Sequence, residues 1–240
     1  MKMTKKKVFV AALAICLVAI ISMGTLAWFN ASDSIDNKFY FADSDEDGNT
    51  DFSVDVKETG DEEDDGLEFN EILPGDVYAK DPTIVNTSSS DRYTQYIRAT
   101  LTLKDPTGAW KKALDEKRIG DGKLVKGSRE VGLLNEMFQT VDLKNGGDWE
   151  IAYDVNGGYG YNEETKEFYW VFYYTDVLAK GESVKLFEKV TIPTGITVED
   201  ASAMKSAFEV SVKAEAVQAE NLGLQTWQGA KEAFAVVEGN

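Results

Sequence analysis

The strongest constraint on the fold is a period of two. Residues 208–219 read FEVSVKAEAVQA, with Phe208, Val210, Val212, Ala214 and Ala216 on one face and Glu209, Ser211, Lys213 and Glu215 on the other. Successive side chains of a strand point to opposite sides, so this spacing predicts a strand with one face in a core. Residues 77–86 and 93–103 alternate in the same way, and shorter strand-like runs fall at 35–42, 52–57, 149–154, 167–176 and 183–192. Turn signals separate them. Leu73-Pro74-Gly75-Asp76 suits a type II turn, Asn156-Gly157-Gly158 suits a hairpin, and Lys180-Gly181-Glu182 is a further turn. Pro82 suits an edge position or a strand start, and Pro193 closes the 183–192 run.

Residues 107–140 change character. Helical spacing appears at 109–119, with Trp110, Ala113 and Leu114 on one side, and again at 131–138, with glycines between. Residues 198–206 suit a turn or two of helix, and 224–237 a short helix carrying Trp227 and Phe234. The chain therefore reads as mainly β, an antiparallel β-sandwich with a helical insertion at about 107–140. No fixed-period repeat and no second core is visible, so residues 28–240 form one expected domain.

Composition removes several function classes. The 240 residues contain no histidine and one cysteine, Cys16. That excludes a Ser-His-Asp triad, a His-ligated zinc, an intramolecular disulfide and a cysteine-cluster metal site. Lys and Arg number 25 against 42 Asp and Glu, a formal charge of −17. Such a surface repels phosphates, so nucleic acid is not an expected partner.

The N-terminus reads as an address. Lys5, Lys6 and Lys7 precede an uncharged run at 8–21, and small residues follow at Ser22, Gly24, Thr25 and Ala27. This is the layout of a signal peptide spanning residues 1–27, cut between Ala27 and Trp28. A second reading stays open: the uncharged stretch reaches Ser32, long enough for an uncleaved anchor. Cleavage would remove four lysines and the lone cysteine, leaving a chain of charge −21 that meets the membrane only before processing.

Acidity is densest at 43–65, which holds 12 of the 42 acidic residues and one lysine. Within it, Asp43, Asp45, Asp47, Asn49 and Asp51 follow a D-x-D-x-D-G-x-x-D spacing around Gly48. Calcium takes six to eight oxygens, and alternate residues of a tight loop can supply them. Val54 stands where an EF-hand places its last glutamate, so a Ca2+ site here needs a ligand from elsewhere, such as the 58–65 run. The competing reading is a solvated acidic loop.

Four segments together resemble the TasA/camelysin family of secreted biofilm matrix proteins of Gram-positive bacteria. They are Gly24-Thr25-Leu26-Ala27-Trp28-Phe29; Leu73-Pro74-Gly75-Asp76 followed by Asn86; Lys180-Gly181-Glu182-Ser183 through Ile192-Pro193; and Ala216-Val217-Gln218-Ala219 with Trp227 downstream. The resemblance implies a specialised signal peptidase, a jelly-roll-like sandwich and polymerisation into extracellular fibres. In such fibres an N-terminal segment leaves its own subunit and adds a strand to the next. Here the expected donor is 28–41, with Trp28, Phe29, Ile35, Phe39 and Phe41 as anchors, and the expected partners are copies of the chain or related matrix subunits. The competing reading makes these residues an ordinary first strand. A non-polymerising, calcium-binding surface adhesin is the alternative function. A camelysin-like metallopeptidase is more distant, since H-E-x-x-H is missing with every histidine, and no enzymatic activity is expected.

The aromatic run 168–174 reads either as core and subunit packing or as a carbohydrate platform.

Overall fold

The computed structural model describes residues 30–34, 37–39, 52–59, 72–121, 128–138, 148–152, 157–203, 209–219 and 227–238; for the first two stretches it describes strand placement alone. The protein is mainly β with antiparallel sheets.

The centre is a seven-stranded sheet. Its strands are β1 (Asn30–Ser34), β2 (Asn37–Phe39), β6 (Gln95–Lys104), β7 (Trp149–Ile151), β8 (Tyr159–Asn162), β9 (Glu167–Tyr174) and β12 (Val210–Gln218). The order is β2-β1-β12-β6-β9-β7, and β8 pairs with β9. β7 and β8 share one side of β9, pairing with its C-terminal and N-terminal parts respectively. The expected period of two is realised. Val212, Ala214 and Ala216 are buried, while Ser211, Lys213 and Glu215 are half-buried on the opposite face.

A second group of strands packs on the core face. β3 (Val54–Lys57), β5 (Thr83–Asn86) and β10 (Ser183–Lys185) form one sheet, and β4 (Val77–Ala79) pairs with β11 (Lys189–Thr191). The runs 77–86 and 183–192, each expected as one strand, are thus each assigned as two. The register nevertheless continues unchanged from β4–β11 into β5–β10. Lys80 N–H donates to the Glu188 carbonyl at 3.2 Å, and Leu186 N–H to the Pro82 carbonyl at 2.9 Å. Pro82 has no N–H to return the second bond, and that interrupts the ladder. The two halves form one ribbon.

Val54, Val56, Ile84, Val184 and Val190 of this layer share a core with Ile97, Leu101, Leu103, Phe168, Trp170 and Phe172 of the central sheet. At one side Trp149 Nε1 of β7 donates to the Lys185 carbonyl of β10 at 3.0 Å, tying the layers together.

The helical insertion between β6 and β7 contains α1 (Ala109–Asp115) and α2 (Arg129–Met137). Asp105 accepts from the N–H groups of Trp110 and Lys111, satisfying two donors at the start of α1. Ser128 caps α2 through Val131 N–H, and the Glu130 carbonyl takes the Trp170 indole N–H at 3.0 Å. α3 (Val198–Ala203) is capped reciprocally by Thr197 and Asp200. Arg118, just after α1, bonds Asp200 at 2.7 Å and the Gly195 carbonyl at 2.6 Å. α4 (Trp227–Val237) covers the opposite face of the central sheet, packing Ala230, Ala233 and Phe234 against Tyr96, Tyr173 and Val217.

β8 is an element the sequence reading did not include. Gly157 has the expected positive φ, 85°, and Asn156 lies outside the described residues; after Gly158 the chain forms β8, which returns to β9 through residues 163–166, with Lys166 at φ 56°. Asn162 Oδ1 accepts the N–H groups of Glu164 and Thr165 and closes that turn.

Candidate functional site

Two places gather the residues singled out in the sequence: the N-terminal edge of the central sheet and the ribbon β4/β5–β11/β10.

At the edge, β1 lies antiparallel on β12 of its own chain, with Asn30 opposite Val217 and Ser34 opposite Lys213. β2 turns back on β1, with Asp33 opposite Lys38 and Ser32 opposite Phe39. β1 reads Asn-Ala-Ser-Asp-Ser, without a large apolar residue. Its attachment to the sheet is therefore a main-chain ladder. Of the five expected anchors, Phe39 lies in β2, while Trp28, Phe29, Ile35 and Phe41 lie outside the described residues. So do the cleavage pair Ala27 and Trp28, the whole segment 1–27 and the calcium candidates Asp43, Asp45, Asp47, Asn49 and Asp51. Among the described residues no group of three or more acidic or Cys side chains is placed to hold a metal, and no helix is long and apolar enough to cross a membrane.

The ribbon brings together two segments about a hundred residues apart in sequence. Asp76 accepts from Ile192 N–H at 2.8 Å at one end, and Asn86 N–H donates to the Glu182 carbonyl at 3.0 Å at the other. Leu73-Pro74-Gly75-Asp76 and Asn86 are thus the two ends of one strand path, facing Ile192-Pro193 and Lys180-Gly181-Glu182. Gly75 has φ 92°, as a type II turn needs, and donates to the Ile192 carbonyl at 2.8 Å. Asp76 closes the turn by accepting from Leu73 N–H and from the Tyr78 hydroxyl.

Asn86 is fully buried and acts as a polar knot. Its Nδ2 donates to the carbonyls of Tyr93 and Leu178 at 2.7 and 2.8 Å, and its Oδ1 accepts from Ser88 N–H. Gln95, also fully buried, continues the network by donating to the Ser53 carbonyl and to Ser88 Oγ. These bonds satisfy the main chain of the loop after β5 where water has no access. The sequence reading marked Asn86 within a motif but gave it no role, and Gln95 carried no signal; their partners lie up to 92 residues away.

On the opposite face, Arg98 bridges Glu215 of β12 at 2.9 Å and Glu238 after α4 at 2.5 Å, and sits 4.4 Å over the Phe234 ring. Burial disfavours the guanidinium charge, yet the two carboxylates outweigh it and raise its pKa. Glu215 is held below the usual carboxylate range in return: burial alone would raise it, and Arg98 and Lys213 lower it. This cluster fixes α4 to the sheet. The aromatic run divides by parity, with Phe168, Trp170 and Phe172 in the core, Tyr173 beneath α4 and Tyr169 half-buried.

No protein family, curated protein or solved structure matches this chain.

Proposed function

We propose that the chain is an exported structural subunit that assembles into extracellular fibres at the surface of a Gram-positive bacterium by adding a strand from one copy to the next. The observation that carries this reading is the attachment of β1. A strand without large apolar side chains, paired along its whole length with the outermost long strand of the sheet, is held by bonds that any extended segment in the same register can make. If β1 of one copy takes the place of β1 on another, the same ladder forms between chains. Because donor and acceptor patches differ, the chain of subunits does not close.

A jelly-roll-like sandwich is the architecture we propose for the two packed layers, supported by their single shared core and the Trp149–Lys185 tie at one side. The leader at 1–27 directs export, and the 43–51 loop takes Ca2+ and so reduces the self-repulsion of a strongly acidic chain. The functional residues act through shape and pairing, with no catalytic role.

Electron microscopy of the purified secreted protein tests the reading, with and without Ca2+. Fibres are expected from the wild type, and their loss is expected on deletion of residues 28–34. Fibres of unchanged yield from the deletion sink the strand-addition mechanism.

A further inference from the structure

Among the described residues, one sheet edge lacks the usual protection. In the ribbon, Asp76 and Lys80 direct main-chain bonds toward β11. The alternating residues Val77 and Ala79 therefore direct their N–H and C=O groups the other way, and neither bonds a described residue on that side. β3 covers the neighbouring β5 only as far as Lys57 opposite Thr83. Beyond that pair, the Asp81 carboxylate takes Thr59 N–H and its hydroxyl at 2.9 Å, and among the described residues β4 is an edge.

Edge strands are commonly guarded by a charge, a proline or a covering group. β10 has its Lys185 carbonyl covered by the Trp149 indole, and β2 carries Lys38. β4 is Val-Tyr-Ala. Val77 is 56% exposed and Leu73, four residues earlier, is 63% exposed; these are two of the three exposed large apolar side chains among the described residues. The two flanking charges are engaged elsewhere: Asp76 is turned onto Leu73 N–H and the Tyr78 hydroxyl, and buried Lys80 onto Glu58 at 2.5 Å.

We propose that the β4 edge pairs antiparallel with the β4 edge of a second copy, about a two-fold axis through Tyr78. The strand is its own complement in this register. With Tyr78 opposite Tyr78 of the other copy, Val77 of each lies opposite Ala79 of the other. Both are residues whose main-chain groups point outward, so all four outward N–H and C=O groups on each edge that belong to these residues find partners. No charged residue enters the pairing, which matters for two chains of −17 each. Exposed Val77 and Leu73 of each copy then cover the new pair. The contact is small compared with a stable dimer interface. It becomes effective where many copies stand in rows, as on neighbouring fibres, where multivalency multiplies weak contacts. The biological role as a lateral fibre contact rests on the assembly reading above; the pairing itself does not.

Cysteine trapping reads the register directly. In the full chain with Cys16→Ser, Val77→Cys and Ala79→Cys are made as separate variants. Directly opposed residues in a bonded antiparallel pair have Cα atoms about 5.5 Å apart, within disulfide range. The mixture of the two variants is expected to form a disulfide dimer under mild oxidation, while each alone gives little. Adding Ala79→Lys to the Val77→Cys variant abolishes the dimer in the mixture. Absence of a dimer in the mixture, or equal yields from single variants and mixture, overturns the pairing. Because the assay reads soluble subunits, it stands even if the deletion of residues 28–34 leaves fibres unchanged.

Discussion

β9 and β1 belong to the same sheet, and each is paired along its whole length, yet different forces hold them. β9 inserts Phe168, Trp170 and Phe172 into the core and has neighbours on both sides. Burying one such side chain contributes roughly 1.5–3 kcal/mol. β1 presents a ladder to β12 and β2 from a sequence whose only apolar residue is Ala31. A central strand is thus specified by its side chains, whereas β1 is specified by register. The strand exchange proposed above relies on a strand of the second kind, whose sequence holds no large apolar residue for the core.

The comparison can be tested by substitution. Trp170→Ala removes a fully buried ring that stacks beside Phe168 and bonds α2, and is expected to cost about 3–5 kcal/mol in denaturant unfolding. Gly195→Ala would set a Cβ 1.8 Å from the Arg118 carbonyl, and about 3 kcal/mol should be lost as the contact between the insertion and α3 opens; an unchanged Tm contradicts that contact. Asn86→Ala leaves the Tyr93 carbonyl unpaired and takes from the Leu178 carbonyl one of its two donors, Gln95 N–H remaining, with an expected loss of about 2 kcal/mol and faster amide exchange at Ser88.

The Asp200 clamp gives a pH signature. Burial favours its neutral form, but Arg118 and Thr197 outweigh it and hold the carboxyl at about 2. A depressed carboxylate contributes stability that is present above the unfolded value, about 4, and is lost as pH falls toward 2. Acid titration of the wild type against Asp200→Asn checks this: the difference in stability should shrink across that window. The smallest effect belongs to β1. Ser34→Ala should change unfolding free energy by less than about 0.5 kcal/mol. A loss comparable to that of Trp170→Ala would erase the distinction between the two strands.

Much of the β framework was legible because it depends on local alternation. The spacing in residues 208–219 is realised in β12, and the helical insertion falls where periodicity and glycines put it, in α1 and α2. The split of 77–86 was signalled by Pro82, but its effect depends on Leu186, whose carbonyl needs the N–H that proline lacks. β8 was missed because Tyr-Gly-Tyr-Asn has weak strand character by itself; it becomes a strand by pairing with β9. Asn86 and Gln95 were equally illegible as a knot, since a polar residue in a sequence gives no sign that distant carbonyls will need it.

By itself the sequence determined which faces are apolar, where helices interrupt strands, and which chemistry a chain without histidine cannot perform. These follow from residue type and short-range spacing. Only the tertiary structure decided which strands are neighbours, that the Leu73–Asp76 and Lys180–Pro193 segments face each other along one ribbon, and that among the described residues β4 is an uncharged edge. Those facts depend on pairing over long separations, where register is set by the collective burial of two layers rather than by any one residue.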